Sequence, residues 1–352
     1  MTAVTTAESA PDVDILHLRG NKLPNFALPV IAVAAVAIAL VLYFTTSIHK
    51  IQTGLIAVLL YVAGQTVASS LIEGRRRARD RFATTLLIVA FLLALIPLVA
   101  VLGTVIAKGS KDLTFGFLTH SMRNIGPTDV GGGIYAALIG TLEQVAIATL
   151  IAVPFSLLVS IYLVEYGKGR TSRVISFFVD VLTGLPSIIA GLFIYAFYLI
   201  ALGQQQTGFA GSLALTLLMI PTVVRSSEEM LKLVPNELRE ASFALGVPRW
   251  RTILKVVVPT ALPGIVTGVM LAIARVAGET APLLLLIFGN DSINTSPFSG
   301  KQSGIPLFIF NQAAQPEATA VDRAWAAALT LIIIIMIFNL LGRLVARRSR
   351  VR

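Results

Sequence analysis

Two neighbouring stretches decide how this sequence is interpreted: NELREASFALGVPRWRTILKVVVP at residues 236–259 and ARVAGETAPLL at residues 274–284. The first has the spacing of two short helices with polar faces, separated by a turn. The second places an arginine and a glutamate, Arg275 and Glu279, inside an apolar run. Ionisable side chains at membrane depth are costly and mark functional paths by default. The two stretches predict a segment that meets a soluble partner, followed by a charged route through lipid.

The composition of the whole chain is that of a membrane protein. Of its 352 residues, 56% are hydrophobic and only 13% are charged, and the mean hydropathy is +0.84. Because a spanning helix needs about 20 mostly apolar residues, the chain is predicted to be an all-α polytopic membrane protein. The absence of cysteine excludes disulfides and thiolate metal sites. The eight predicted spans are residues 27–46, 53–72, 84–107, 134–164, 176–202, 209–228, 262–288 and 324–344.

The basic residues predict the orientation of the chain. With the amino terminus inside, 21 of the 28 Lys and Arg residues fall in inside segments and six in outside segments. Cytoplasmic loops concentrate Lys and Arg, so both termini are predicted to be cytoplasmic. This topology accounts for the net charge of +10 without any nucleic-acid partner.

The basic run GRRRARDR at residues 74–81 divides the predicted spans into two groups. We expect a flexible cytoplasmic tail at residues 1–25, an N-terminal transmembrane hairpin at 26–74 and a six-helix core at 82–346. The hairpin either faces lipid or docks a sister subunit. The outer loops at 108–133 and 290–323 are long enough to meet a partner, and a solvated loop is an equal alternative.

The fifth predicted span contains TGLPSIIAG at residues 183–191. Pro186 removes a backbone donor and Gly184 loosens the preceding turn, so we expect a helix break here. Such a break either lines a cavity or serves only packing.

The stretch at 236–259 predicts a helix-turn-helix of about twenty residues outside the bilayer. Leu238, Ala241, Ser242 and Leu245 fall at i, i+3, i+4 and i+7, on one face of the first helix. Gly246 suits its end and Pro248 suits the start of the second helix. An amphipathic segment resting on lipid head groups is the alternative interpretation.

The charge pair lies near the middle of the predicted span 262–288, where Arg275 is about 20 Å from either end. Glu279 follows one helical turn later, so the two side chains are expected to pair. The pair either contributes to a solute path or holds the helix bundle together. An arginine fork suits phosphate and carboxylate oxygens, which it binds bidentately.

The spacing of Glu240-Ala241-Ser242, Gly246, Val256, Val258 and Pro259 resembles the EAA loop of binding-protein-dependent ABC transporter permeases. The departures from the family pattern are Ser242 for alanine and valine for isoleucine and leucine. In that family this loop forms the coupling helices that dock on a cytoplasmic ATPase. The resemblance implies that Glu240, Ala241, Ser242, Gly246 and Pro259 serve that coupling.

A more specific resemblance comes from PTVVRSSEEML at 221–231 together with ARVAGETAPL at 274–283. These motifs resemble the PstA family of permeases from bacterial phosphate importers, over about residues 80–350. The resemblance implies a type I, MetI-like core, and it relates Arg275, Glu279 and Arg225 to phosphate passage. Arg225 serves equally well as a basic residue at the cytoplasmic end of its span. The implied partners are a PstC-like sister permease, a PstB-like ATPase dimer and a PstS-like phosphate-binding protein.

The expected function is therefore the permease subunit of an ATP-driven phosphate importer in the bacterial cytoplasmic membrane. A permease for another oxyanion, such as phosphonate, sulfate or molybdate, is the alternative, and an ATP-independent anion channel is a more distant one. No GxxxxGK[ST] motif occurs in the sequence, so we expect ATP and Mg²⁺ to be used by the partner ATPase. The chain itself is expected to bind no cofactor or metal and to catalyse no reaction.

Overall fold

The computed structural model describes residues 23–24, 26–46 and 49–349, so most of the tail predicted at 1–25 lies outside the described residues. Seven of the described helices have the length and hydropathy to cross a membrane, or eight if one bent pair counts as a single span. This confirms the prediction of an all-α polytopic membrane protein. The helices are α1 Ala27–Thr46, α2 Lys50–Ile72, α3 Arg75–Asp112, α4 Phe115–Thr119, α5 Tyr135–Ile161, α6 Arg170–Gly184, α7 Ser187–Ile194, α8 Gly208–Lys232, α9 Asn236–Ala244, α10 Arg249–Thr252, α11 Val258–Ala277, α12 Ala281–Leu286, α13 Ile305–Ala313 and α14 Ala318–Ser349.

Helices α1 and α2 and the first part of α3 form one compact unit, which ends at Leu102. Its main polar feature is the carboxylate of Glu73, which directly follows α2. Arg81 donates to both carboxylate oxygens at 2.6 and 2.8 Å, and the backbone N–H of Leu23 donates to Oε1 at 2.8 Å. The hydrogen bonds from Arg81 lower the pKa of Glu73 to about 2. The carboxylate therefore joins the end of α2 to the start of α3.

The second unit begins at Gly103, and α8 lies at its centre. In the most apolar window of α8, 67% of the residues are buried within the chain. Its main packing partners are α5 and α11. On α11, Gly264 and Gly268 face α8 so closely that a Cβ on Gly268 would lie 2.3 Å from Ser226 Oγ. Small residues four apart permit this close approach between membrane helices.

The predicted span 262–288 is wrong at both ends. Helix α10, a π turn at Ile253–Val257 and α11 form one continuous helix, Arg249–Ala277. The π turn accommodates Pro259, which has no N–H for the ordinary helical bond. At the other end, the ring of Pro282 would clash with the carbonyl of Gly278 if one helix continued through both residues. Residues 281–286 therefore form the separate helix α12, and the second helix of the predicted cytoplasmic pair is the beginning of a span.

Helix α6 ends at Gly184 and α7 begins at Ser187, and the two axes meet at 107°. A π turn at Tyr195–Ala201 extends α7. After the bend, α7 packs against α12, where a Cβ on Gly191 would lie 2.7 Å from Cα of Pro282. The break at Gly184 and Pro186 thus brings α7 against the segment that follows Glu279.

Candidate functional site

The predicted coupling segment consists of α9, a tight turn and the start of α10. Gly246 has a φ of +73°, and the N–H of Val247 donates to the carbonyl of Ser242 at 3.2 Å. A glycine in the left-handed conformation commonly follows the last turn of an α-helix, and Gly246 ends α9 in this way. The hydroxyls of Ser242 and Thr252 lie 2.8 Å apart and join the two arms. The turn therefore has one defined geometry.

The outer surface of this segment carries both polar and apolar side chains. Glu240, Ala241 and Gly246 are exposed, whereas Ser242 is buried by its contact with the second arm. The stripe predicted from helical spacing is therefore divided, because Ser242 faces inward. Large apolar side chains are also exposed here: Leu238, Phe243, Leu245, Trp250 and Leu254. Exposed apolar surface of this kind marks a protein or membrane contact.

Arg275 lies in the last turn of α11, not at the centre of a span. Its side chain is exposed on the surface of the chain. No hydrogen bond, ion pair or ring contact involves it among the described residues. The predicted pair with Glu279 is absent because α11 ends at Ala277 and the N–H of Glu279 donates to Val276 in a tight turn. Glu279 therefore leaves the helical register in which it would face Arg275.

The exposed face of α11 continues from Arg275 toward the coupling segment. Leu271, Thr267 and Thr260 are exposed on this face, within a stripe about 80° wide at 100° per residue, which is interrupted at Gly264 by contact with Met230 of α8. The hydroxyls of Thr267 and Thr260 donate to backbone carbonyls four residues earlier, and their oxygens can still accept. The result is an outward-facing strip of the chain with one unpaired guanidinium and two hydroxyls.

Arg225, the third predicted path residue, has a different environment. It lies on α8, where Nη1 donates to Glu228 Oε2 at 2.6 Å, and Nη2 contacts Asp180 Oδ1 and the carbonyl of Ser176 on α6. Two carboxylates on one guanidinium neutralise its charge. This geometry favours a role in holding α6 against α8, and the network does not include Arg275 or Glu279.

A second arginine cluster was not predicted from the sequence. Arg239 of α9 donates to Glu165 Oε1 at 2.9 and 3.1 Å, and Glu165 lies in the π turn Tyr162–Tyr166 that extends α5. Arg249 donates to the backbone carbonyl of Glu165 and lies over the ring of Tyr166, 4.8 Å from its centroid. An acid at the end of an apolar span, with arginines in a polar segment that follows a later span, is the signal that could have indicated this contact.

A buried amide network at the other end of α5 was also missed. Gln302 donates to Glu143 at 2.6 Å, and Gln144 donates to Gln302 Oε1 at 3.1 Å and to the carbonyl of Ser303 at 3.2 Å. Gln144 and Gln302 are almost fully buried. Part of the long loop predicted at 290–323 is therefore packed into the core and is not a free solvated segment.

The chain matches the family described as "Binding-protein-dependent transport system inner membrane component" over residues 152–351. It belongs to this family of multi-pass membrane proteins, which is the class that the helical core and the coupling segment define. Among curated relatives, a phosphate transport system permease protein PstA 1 of Mycobacterium tuberculosis is 52% identical over 280 residues. That alignment covers 78% of this chain and 92% of the relative. The chain therefore belongs, within the family, to the PstA permeases.

Other comparisons agree with this assignment. The PstA permease of Mycobacterium leprae is 50% identical, over 77% of this chain and 90% of the relative. That of Yersinia pestis is 37% identical, over 78% and 92%. A solved bacterial ABC transporter involved in the import of the polysaccharide alginate has a TM-score of 0.54 at 15% identity. It covers 77% of this chain and 99% of its own, and it supports the fold alone.

Proposed function

We propose that this chain is the membrane-spanning permease subunit of an ATP-driven importer of inorganic phosphate. The observation that carries this proposal is the placement of Arg275 in a PstA-type permease. Its guanidinium is unpaired and exposed, at the end of a 29-residue helix that begins in the coupling segment. The relatives that are about half identical to the chain are named as phosphate permeases.

The cost of an exposed arginine in an apolar span supports a path for an anion. An arginine at the centre of a spanning helix costs about 2.5–3.5 kcal/mol on the insertion scale, and one in the last turn of its helix, as Arg275 is, costs less. Within the described chain, Arg275 has no carboxylate to offset that cost. A sister permease or a water-filled path beside Arg275 would offset the remaining cost. The planar guanidinium binds phosphate oxygens bidentately, and a single unpaired arginine holds the anion loosely enough for release.

Continuous helix connects the coupling segment to Arg275. From Arg249 to Arg275 the helix rises about 39 Å at 1.5 Å per residue. A displacement of α9 and α10 by an ATPase therefore moves the far end of α11 without an intervening loop. We infer that closure of the ATPase dimer on ATP opens the path outward, and that hydrolysis returns it to the inward state.

This function needs other chains. We propose a PstC-like sister permease beside the exposed face of α11 and two copies of a PstB-like ATPase at the coupling segments. A PstS-like phosphate-binding protein would dock on the outer face. ATP and Mg²⁺ are then used by the ATPase, and this chain binds no cofactor. The positive-inside distribution of Lys and Arg supports a bacterial cytoplasmic membrane location with both termini in the cytoplasm.

The proposal is tested with the complete complex reconstituted in liposomes. We expect uptake of labelled phosphate to require ATP and the binding protein, and to resist competition by sulfate, molybdate and phosphonate. Equal competition by one of these anions would assign the chain to another oxyanion permease. Phosphate conductance without ATP would assign it to an anion channel.

A further inference from the structure

The carboxylate of Glu165 is the most enclosed charged group at the coupling end of the chain's second unit. Its side chain is only 6% exposed, and that of its partner Arg239 is 13% exposed. The two Arg239 nitrogens Nε and Nη2 both donate to Glu165 Oε1. A buried ion pair contributes little net stability, because desolvation offsets the attraction, and its best attested use is to fix one specific arrangement. The pair is therefore better explained by the arrangement of helices that it fixes than by a gain in stability.

Arg239 also holds the end of a second helix. Its Nη1 donates to the carbonyl of Val234 at 2.5 Å, and its Nη2 donates to that of Leu231 at 3.1 Å. These are carbonyls at the end of α8 and just beyond it, where the helix has unsatisfied acceptors and a partial negative charge. One guanidinium thus joins α9 to the carboxyl end of α8 and to the extended end of α5.

The second arm of the coupling segment reaches the same point. Arg249, at the start of α10, donates to the backbone carbonyl of Glu165. Arginines from both sides of the Gly246 turn therefore converge on one residue of the α5 extension. We call Glu165, Arg239 and Arg249 the coupling clamp.

The coupling clamp lies beside the link between α8 and α9, where movement of α9 could otherwise fail to reach the rest of the core. Only residues 233–235 separate α8 from α9, and a short irregular link of this kind can bend. If α9 swung about that link, displacement by an ATPase would move α9 alone. With the clamp in place, α9 moves together with α5 and α8, which form the centre of the core.

We propose that Arg239 and Glu165 are positioning residues that make the coupling segment one rigid body with α5 and α8. They thereby set how much phosphate is moved for each ATP hydrolysed. The inference rests on the proposed function, because it assumes an ATPase at the coupling segment. It adds the residues that transmit displacement of the coupling segment by the ATPase to the transmembrane core.

The test uses the complete complex in liposomes, with the variants Glu165→Gln, Arg239→Gln and the double variant. Three quantities are measured: recovery of assembled complex, ATP hydrolysis, and phosphate transported per ATP. Glu229→Gln and Arg173→Gln are matched controls, because both residues are exposed and neither belongs to the clamp. Substitutions along a coupling network change coupling by about 2- to 30-fold, and we expect phosphate per ATP to fall within that range.

The expected result has three parts. ATP hydrolysis continues, phosphate per ATP falls in both single variants, and the double variant is no worse than the more affected single variant, because the two residues act as one unit. Unchanged phosphate per ATP in assembled single variants would overturn the proposal. So would additive losses in the double variant.

A purely structural role has a different signature. It would lower the recovery of complex and leave phosphate per ATP at the wild-type value. If the glutamine variants do not assemble, Arg239→Lys keeps the charge and removes the fork. Lysine at this position should assemble with reduced phosphate per ATP, and wild-type stoichiometry in it would refute the inference. Failure of the wild-type complex to take up phosphate with ATP would instead contradict the proposed function.

Discussion

Replacing Arg275 with glutamine tests the proposed path most directly, because it separates transport from folding. The guanidinium has no hydrogen-bond or ion-pair partner within the described chain and is exposed on its surface. The substitution therefore removes no contact that holds this chain together. Surface substitutions of this kind change stability by about 0.5 kcal/mol or less.

The expected effect on transport follows from the contact that Arg275 would make with phosphate. A hydrogen bond to a charged group has a net value of about 1.5–3 kcal/mol. Since about 1.4 kcal/mol corresponds to a factor of ten, the Arg275→Gln variant should lose about 10- to 140-fold in kcat/KM for phosphate uptake. The Arg275→Lys variant keeps the charge but loses the planar guanidinium, so its kcat/KM should lie between those of the wild type and Arg275→Gln.

The assay is uptake of labelled phosphate at limiting phosphate by liposomes that contain equal amounts of assembled complex. Arg173→Gln, at an exposed arginine on α6, is the control and should transport at the wild-type rate. If Arg275→Gln also transports at that rate, Arg275 does not lie on the phosphate path. If it fails to assemble, Arg275 instead pairs with a group of the sister permease.

Three further predictions concern stability. Arg225→Gln removes the partner of Asp180 and one of the two partners of Glu228, which keeps Lys232, and should destabilise the complex by about 1 kcal/mol, seen as a lower unfolding temperature in detergent. Gly268→Leu places side-chain atoms where Ser226 Oγ already lies, so overpacking should cost about 1–3 kcal/mol and lower the yield of folded chain. The lowered pKa of Glu73, about 2 against an ordinary 4.5, gives stability that is complete above pH 4.5 and is lost as the pH falls toward 2. Glu73→Gln should remove that part of the pH dependence.

Each of these three stability predictions would be contradicted by a particular result. Wild-type unfolding temperature in Arg225→Gln would mean that its ion pairs add nothing to stability. For the glycine, Gly103→Leu is the matched control, because a Cβ there meets no atom within 4 Å, and equal yields of the two variants would contradict the packing argument. For Glu73, identical losses of unfolding temperature between pH 6 and pH 3 in wild type and variant would contradict the linkage argument.

Much of the architecture could be predicted because it depends on local composition. The first predicted span, 27–46, has the bounds of α1, since an apolar run of that length is defined by its own residues. The family assignment was confirmed because the EAA spacing and the ARVAGETAPL motif lie within short windows. The span 262–288 was wrong because hydropathy does not report that a helix enters from a polar segment, or that a proline ends it before the apolar run does.

The site depended more strongly on contacts that sequence spacing does not contain. Helical periodicity predicted that Arg275 and Glu279 pair, and the end of α11 at Ala277 removed the periodicity on which that prediction rested. The partner of Arg239 is 74 residues away, and no pattern within a window connects them.

The sequence by itself determined that the chain spans a membrane, that it is helical and to which family it belongs, because apolar length and short motifs are local properties. Tertiary structure alone decided that Arg225 and Arg239 are neutralised, whereas Arg275 has no partner within the described chain. Arg225 meets a carboxylate 45 residues away, and Arg239 meets Glu165, because helix packing brings their charges together. Arg275 remains unpaired because α11 ends at Ala277 and Glu279 leaves the helical register in which it would face Arg275. Charge pairing across such distances depends on packing, and packing is a property of the assembled helices.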